Sequence, residues 1–236
     1  MKNIKLLSVV ALAIFGATAA STVVSADPLL DQQTGSSIEF DNDTTSIVTP
    51  TDPEEPGKPL PPTVDPTHPI VINPVPSGAL AIAGQPDGFD FGSHKIGAAD
   101  IFGGGIKTYA QVDRPNETRK QGLEIHDGRI DKDDWTLTAQ LSAFDSGKLT
   151  GSTITIENVK TLSQFTGQEP LLVQGATTTI SQTSAVDFMK ADPKAKGDTS
   201  AIWDNFSDVK IHVPASEITK GAHNATVDWT LVAGAN

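Results

Sequence analysis

The 236-residue chain contains no cysteine. That removes disulfides, thiol chemistry, cysteine-ligated zinc and attachment through a lipidated cysteine. Histidine is scarce, with five in all, and no two stand four apart or form a His-Glu-x-x-His motif. There is no Gly-x-Ser-x-Gly around which a serine nucleophile would be built, and Gly103-Gly104-Gly105 is not followed by the Lys-Ser/Thr of a phosphate loop. The chain is therefore expected to be non-enzymatic, with no metal or cofactor. Basic residues are also few, 17 against 29 acids, for a formal charge of −12. No basic patch exists to release counterions from nucleic acid or from an anionic membrane.

Long apolar runs are confined to the N-terminus. Lys2 and Lys5 precede the run Leu6–Ala20, and Val24-Ser25-Ala26 offers small residues for cleavage. Residues 1–26 read as a signal peptide, too short and weakly flanked for a membrane anchor. Without Lys2 and Lys5 the charge of −12 becomes −14. The last strand is followed by the polar Ala233-Gly234-Ala235-Asn236 and not by a sorting motif with a hydrophobic segment and basic tail. The expectation is an exported protein whose attachment to a cell is non-covalent and resides in the folded domain.

Proline is abundant but unevenly placed. Eleven of the sixteen prolines lie between Pro28 and Pro76, and the segment Asp27–Pro76 carries nine acids and one lysine. Such a segment is expected to be a disordered, polyproline-II-biased spacer. Ile38 and Phe40 are its only hint of a strand. From Ser77 onward, short runs rich in Thr, Val and Ile alternate with Gly, Pro, Asn and Asp breaks. Strands are expected at 79–83, 89–91, 107–112, 123–126, 135–144, 152–159, 171–173, 177–182, 209–213 and 225–232. One helical turn is expected at 184–190, ended by Pro193. The resulting organisation is a signal peptide (1–26), a linker (27–76) and a single all-β, antiparallel β-sandwich domain (77–236). Roughly 160 residues suffice to bury a core without disulfides.

The word Asp-Trp-Thr-Leu occurs twice, at Asp134–Leu137 and Asp228–Leu231, and takes two of the three tryptophans. Apolar residues alternate around both copies, so each Trp shares a strand face with the Leu two residues on. If the strands are neighbours, the pairs form one aromatic-aliphatic patch. Such a patch serves either as core or as a surface that stacks on sugars or docks a protein. The acidic run Asp127–Asp134 has an Asp-x-Asp that would suit calcium, but it lacks the central glycine and distal glutamate of a full loop, and a solvated turn is the expected reading.

At these residues the chain resembles the WxL-domain proteins, cell-surface proteins of low-GC Gram-positive bacteria such as enterococci and lactobacilli. The motifs are Trp135-Thr136-Leu137 and Trp229-Thr230-Leu231. Asp127-Gly128-Arg129, Asp90-Phe91-Gly92 with Ile96, and Gly197, Trp203, Phe206 and Val209–Pro214 match further family blocks. The stretch Arg114–Gln121 and the step Ser200-Ala201-Ile202 depart from the pattern. The resemblance implies non-covalent attachment to the Gram-positive cell wall by peptidoglycan binding, with Trp135, Thr136, Leu137, Trp229, Thr230 and Leu231 as binding residues. The alternative it implies is a subunit whose Trp-x-Leu patch, or another sheet face, docks a surface-protein partner. A third reading makes both tryptophans structural.

Overall fold

The computed structural model describes residues 37–60, 70–115, 117, 119–130, 134–145, 147–191 and 195–234. The expected signal peptide, Asp131, Asp133 and Pro193 lie outside them. Among the described residues, Phe40 onward belongs to one compact unit.

The strands in chain order are β1 (Ile47–Val48), β2 (Thr51–Asp52), β3 (Glu55–Pro59), β4 (Ile70–Ile72), β5 (Val75–Pro76) and β6 (Leu80–Pro86). After the short helix α1 (Ala98–Phe102) come β7 (Ile106–Ala110), β8 (Gln121–Asp127), β9 (Trp135–Leu141), β10 (Thr153–Ile156) and β11 (Lys160–Ser163). The remainder are β12 (Leu171–Leu172), β13 (Thr178–Ser181), β14 (Val186–Ala191), β15 (Gly197–Trp203), β16 (Val209–Pro214) and β17 (Val227–Ala233). Three antiparallel sheets carry the domain, ordered β11-β15-β8-β6-β4, β13-β10-β16-β7 and β12-β14-β9-β17. They enclose one core that includes Leu123, Ile125, Trp135, Leu137, Ile156, Ile180, Phe188 and Trp203. Strand β13 lies against β9 and β14, so the two four-stranded sheets adjoin. The β-sandwich expected from the alternation is present.

No strand forms at 89–91, and β11 and β15 stand where the sequence led to no expectation of a strand. Two further expectations need correction. The helical turn at 184–190 is strand β14, paired antiparallel with β9. The register shifts between Asp187 and Met189, so Phe188 is an extra residue in a bulge, and Phe188 and Met189 are both fully buried. Two consecutive inward apolar side chains break the period of two and mimic helical spacing. The second correction concerns the stretch expected to be a spacer, which supplies β1 to β5 among its described residues. Strand β4 extends the five-stranded sheet, and the β2–β3 hairpin packs over the outer face of β15 and β11. Proline-rich sequence tolerates such short edge strands, because prolines at strand ends forfeit no ladder bond. Leu60, Ile70 and Val75 are buried there. Ile38 and Phe40 lie outside any strand and are exposed.

With that hairpin as a cover, β8 is buried along all seven residues. Its inward Leu123 and Ile125 enter the core. Its outward Glu124 and His126 lie beside Ser200 and Asp198 of β15, beneath the cover. Both the amide and the hydroxyl of Thr51 donate to Glu124 Oε1 at 2.7 Å. Ser200 Oγ donates to the Pro53 carbonyl at 2.6 Å. His126 bonds Asp198 through Nδ1 (2.7 Å) and the Ser77 carbonyl through Nε2 (2.9 Å). Arg119–Asp52 and Lys120–Glu54 pairs tie the hairpin at its flank.

Candidate functional site

The two Trp-x-Leu motifs lie side by side. Strands β9 and β17 pair antiparallel without a break, placing Leu137 opposite Leu231, Trp135 opposite Ala233 and Trp229 opposite Ala139. Directly opposed residues in an antiparallel pair project to the same side. The pentads Trp135-Thr136-Leu137-Thr138-Ala139 and Trp229-Thr230-Leu231-Val232-Ala233 are therefore related by a local two-fold axis through the Leu–Leu pair. Each indole lies across from the alanine of the other motif, a large residue against a small one. The repeated word is a repeated structural position.

The side to which the row points is the core. Trp135 is 1% exposed and Leu137 and Ala139 are fully buried. On β17, at the edge of the sheet, Trp229 and Leu231 are half-buried. The Trp229 ring meets Phe188 edge-on, with centroids 5.2 Å apart and planes at 82°. Trp135 Nε1 is buried without a hydrogen-bond partner, whereas Trp203 Nε1 donates to Gln121 Oε1 at 3.4 Å. Of the six residues expected to bind, Trp135 and Leu137 thus lie inside the protein. Trp229 and Leu231 are partly accessible, and Thr136 and Thr230 point to the opposite, outer face.

That outer face is polar. Thr136, Thr138 and Gln140 on β9 stand beside Val232, Thr230 and Asp228 on β17, and Lys190 and Asp187 on β14 extend the rows past Thr136 and Thr138. Thr138 Oγ1 donates to the Thr230 carbonyl at 3.4 Å, and Gln140 Nε2 to the Gln182 carbonyl at 3.4 Å. Sequence reasoning placed Thr136 and Thr230 on one side, but it did not find Asp187 and Lys190, because the β14 bulge hid that strand.

Within the acidic run, Asp127 has a structural use. Asp127 is buried, and its carboxylate accepts from Arg129 Nε at 2.8 Å and Lys196 Nζ at 3.0 Å. Burial raises its pKa, but these two cations outweigh that and hold it below the ordinary carboxylate range. Gly128 beside it is required by close approach, since a Cβ there would come within 1.6 Å of the Ser77 carbonyl oxygen. Among the described residues, no three histidine, aspartate or glutamate side chains gather as a metal site. His212 bonds Thr108 and His223 bonds Asp145, on separate strands and loops. No helix among the described residues is long and apolar enough to cross a membrane.

The sequence signals missed entirely are those of the covered cluster. Burial pushes the Glu124 carboxyl up to about 7, against the two bonds from Thr51. Burial acts to lower the His126 pKa, but the bond to Asp198, the Ser77 carbonyl and the neighbouring carboxylates together raise it. An alternating Glu-x-His on a strand resembles any half-exposed strand until the hairpin above it is known.

A family model described as WxL domain surface cell wall-binding matches residues 30–234, nearly the whole chain. No curated protein and no solved structure matches.

Proposed function

The chain belongs to the WxL domain family of surface cell wall-binding proteins, and from that premise we propose that it is held non-covalently to peptidoglycan, as a binding module and not an enzyme. Its place is the cell surface and wall. The motif residues divide between two tasks. Trp135 and Leu137 fix β9 in the core and give β17 its register, while Thr136, Thr230 and the half-exposed Trp229 and Leu231 belong to the accessible surface. The observation that carries this division is the register itself, which buries one Trp-Leu pair and leaves the other at a sheet edge. Hydroxyls and an amide in rows across β9 and β17 are suited to the hydroxyl and N-acetyl groups of wall sugars, as both donors and acceptors.

Retention on protein-free sacculi tests the reading. The wild type is expected to bind, and Thr136→Val with Thr230→Val together are expected to reduce retention about tenfold, equivalent to about 1.4 kcal/mol. Valine preserves strand shape and propensity, so the fold survives the change. Full retention by this variant would remove the outer face from the site. Absence of binding by the wild type would move the anchor to a surface-protein partner.

A further inference from the structure

The outer edge of β17 carries a second feature, independent of wall attachment. Gly234 N–H donates to the Asp134 carbonyl and Ser142 N–H to the Thr226 carbonyl, at 2.8 and 2.9 Å, in the same register as the β9–β17 ladder. These bonds set the alternation along the pair. Asp228, Thr230 and Val232 turn their backbone N–H and C=O groups inward to β9. Val227, Trp229, Leu231 and Ala233 turn theirs outward. Among the described residues no strand is hydrogen-bonded to that edge, although β6 of the five-stranded sheet comes near β17. Four successive donor–acceptor sets, on the residues of the second Trp-x-Leu motif, stand open.

The other edges are short or guarded. Strand β12 has two residues and β4 three, while β11 and β13 have four each, with Lys160 on β11. Strand β7 has five and carries Lys107. Strand β17 has seven, with no Lys, Arg or Pro and no bulge. Short length, lysine, proline and bulges are the devices by which edge strands avoid pairing. Charged side chains serve the same purpose, and of all these guards this edge carries Asp228 alone.

We infer that β17 pairs with β17 of a second copy of this chain, joining two four-stranded sheets into one of eight strands. The strand is self-complementary. A two-fold axis at Thr230, its central residue, overlaps all seven positions. Trp229 then faces Leu231 of the second copy and Val227 faces Ala233 of the second copy, in the hydrogen-bonded pairs that the outward groups require. Aromatic–aliphatic and Thr–Thr cross-strand pairs are favourable. Asp228 falls opposite Val232 of the second copy, so no like charges meet although each chain carries −12. The alternation demands an extended polypeptide, and the strand's own sequence satisfies that demand without a clash of charge.

Sedimentation equilibrium of the purified protein, with amide exchange measured at low and high concentration, tests the pairing. The expected result is a dimer in which the amides of Val227, Trp229, Leu231 and Ala233 gain protection as concentration rises. Those of Asp228, Thr230 and Val232 are expected to be protected throughout. Ala233→Pro removes an outward N–H and leaves the β9 ladder intact, because proline is tolerated where the N–H faces solvent. It is expected to weaken association at least about tenfold, the equivalent of about 1.4 kcal/mol, with an unchanged fold. A wild type that stays monomeric with those four amides exchanging would overturn the pairing. So would a dimer that persists unchanged in the proline variant.

Discussion

Replacing Trp135 by Ala and replacing Trp229 by Ala alter the same pentad pattern, yet unequal costs are expected. Trp135 fills the core on a strand flanked on both sides, so its loss leaves a cavity worth about 3–5 kcal/mol. Trp229 is half-buried at a sheet edge, and its loss forfeits about half of that, including the edge-on contact with Phe188 (of order 0.5–1.5 kcal/mol). Urea unfolding followed by Trp203 fluorescence measures both. Ala139→Leu is expected to destabilise by about 1–3 kcal/mol through overpacking, because Ala139 makes room for the Trp229 indole. These assignments show what alternation can and cannot reveal. Spacing alone placed Trp and Leu on one face of each strand. Which face is core depends on the sheet stacked against it, and no local pattern encodes that. Glu124 is a second residue whose role is invisible locally. Its folded pKa of about 7 lies above the ordinary 4.5, so its protonated form is favoured by folding. The stability it contributes is fully present below about pH 4.5 and is lost as pH rises toward 7. His126, raised above 6.5, adds a loss of the same sign at higher pH. Thermal scans from pH 5 to 8 are expected to show Tm falling, and Glu124→Gln, which keeps the acceptor for Thr51, is expected to flatten that slope.

At the scale of elements, the sequence hid β11, β14, β15 and the strands of the proline-rich stretch, the β2–β3 hairpin among them. The hairpin was obscured by composition, since prolines and acids dominate a stretch whose buried residues, such as Thr51 and Leu60, are few and widely spaced. Strand β14 was obscured by one bulged phenylalanine. Strands β8, β9, β16 and β17 were legible because their alternation is unbroken. The hairpin is attached to the sheet chiefly by polar ties, so removing one donor should loosen it. Thr51→Val keeps the amide bond to Glu124 and deletes the hydroxyl bond, leaving a buried carboxyl short of a donor at a cost of about 1–3 kcal/mol. The expected outcome is faster amide exchange across residues 51–59 with little change in β9. Gly128→Ala is expected to displace the Ser77 end of the same cover, because its methyl has no space beside that carbonyl.

At the scale of the molecule, charge sets the terms of approach to a wall. An acidic protein is repelled by anionic wall polymers, so retention on intact walls is expected to improve as salt rises toward physiological strength and screens that repulsion. A basic protein partner would produce the opposite trend. The pairing of β9 with β17 has a consequence in time as well as in space. Strand β9 is complete long before its edge partner, which follows more than a third of the chain later. An emerging chain therefore holds Trp135 and Leu137 on a strand whose outer side is vacant until the last segment arrives. Contacts between such distant segments close slowly, because the intervening loop must first lose its entropy. Closure of this late ladder should limit the folding rate, and Leu231→Ala, which weakens contacts made at that barrier, should mainly slow folding. In that order of events the second motif acts as a latch, and the chain becomes a finished module only when its final strand has found the first.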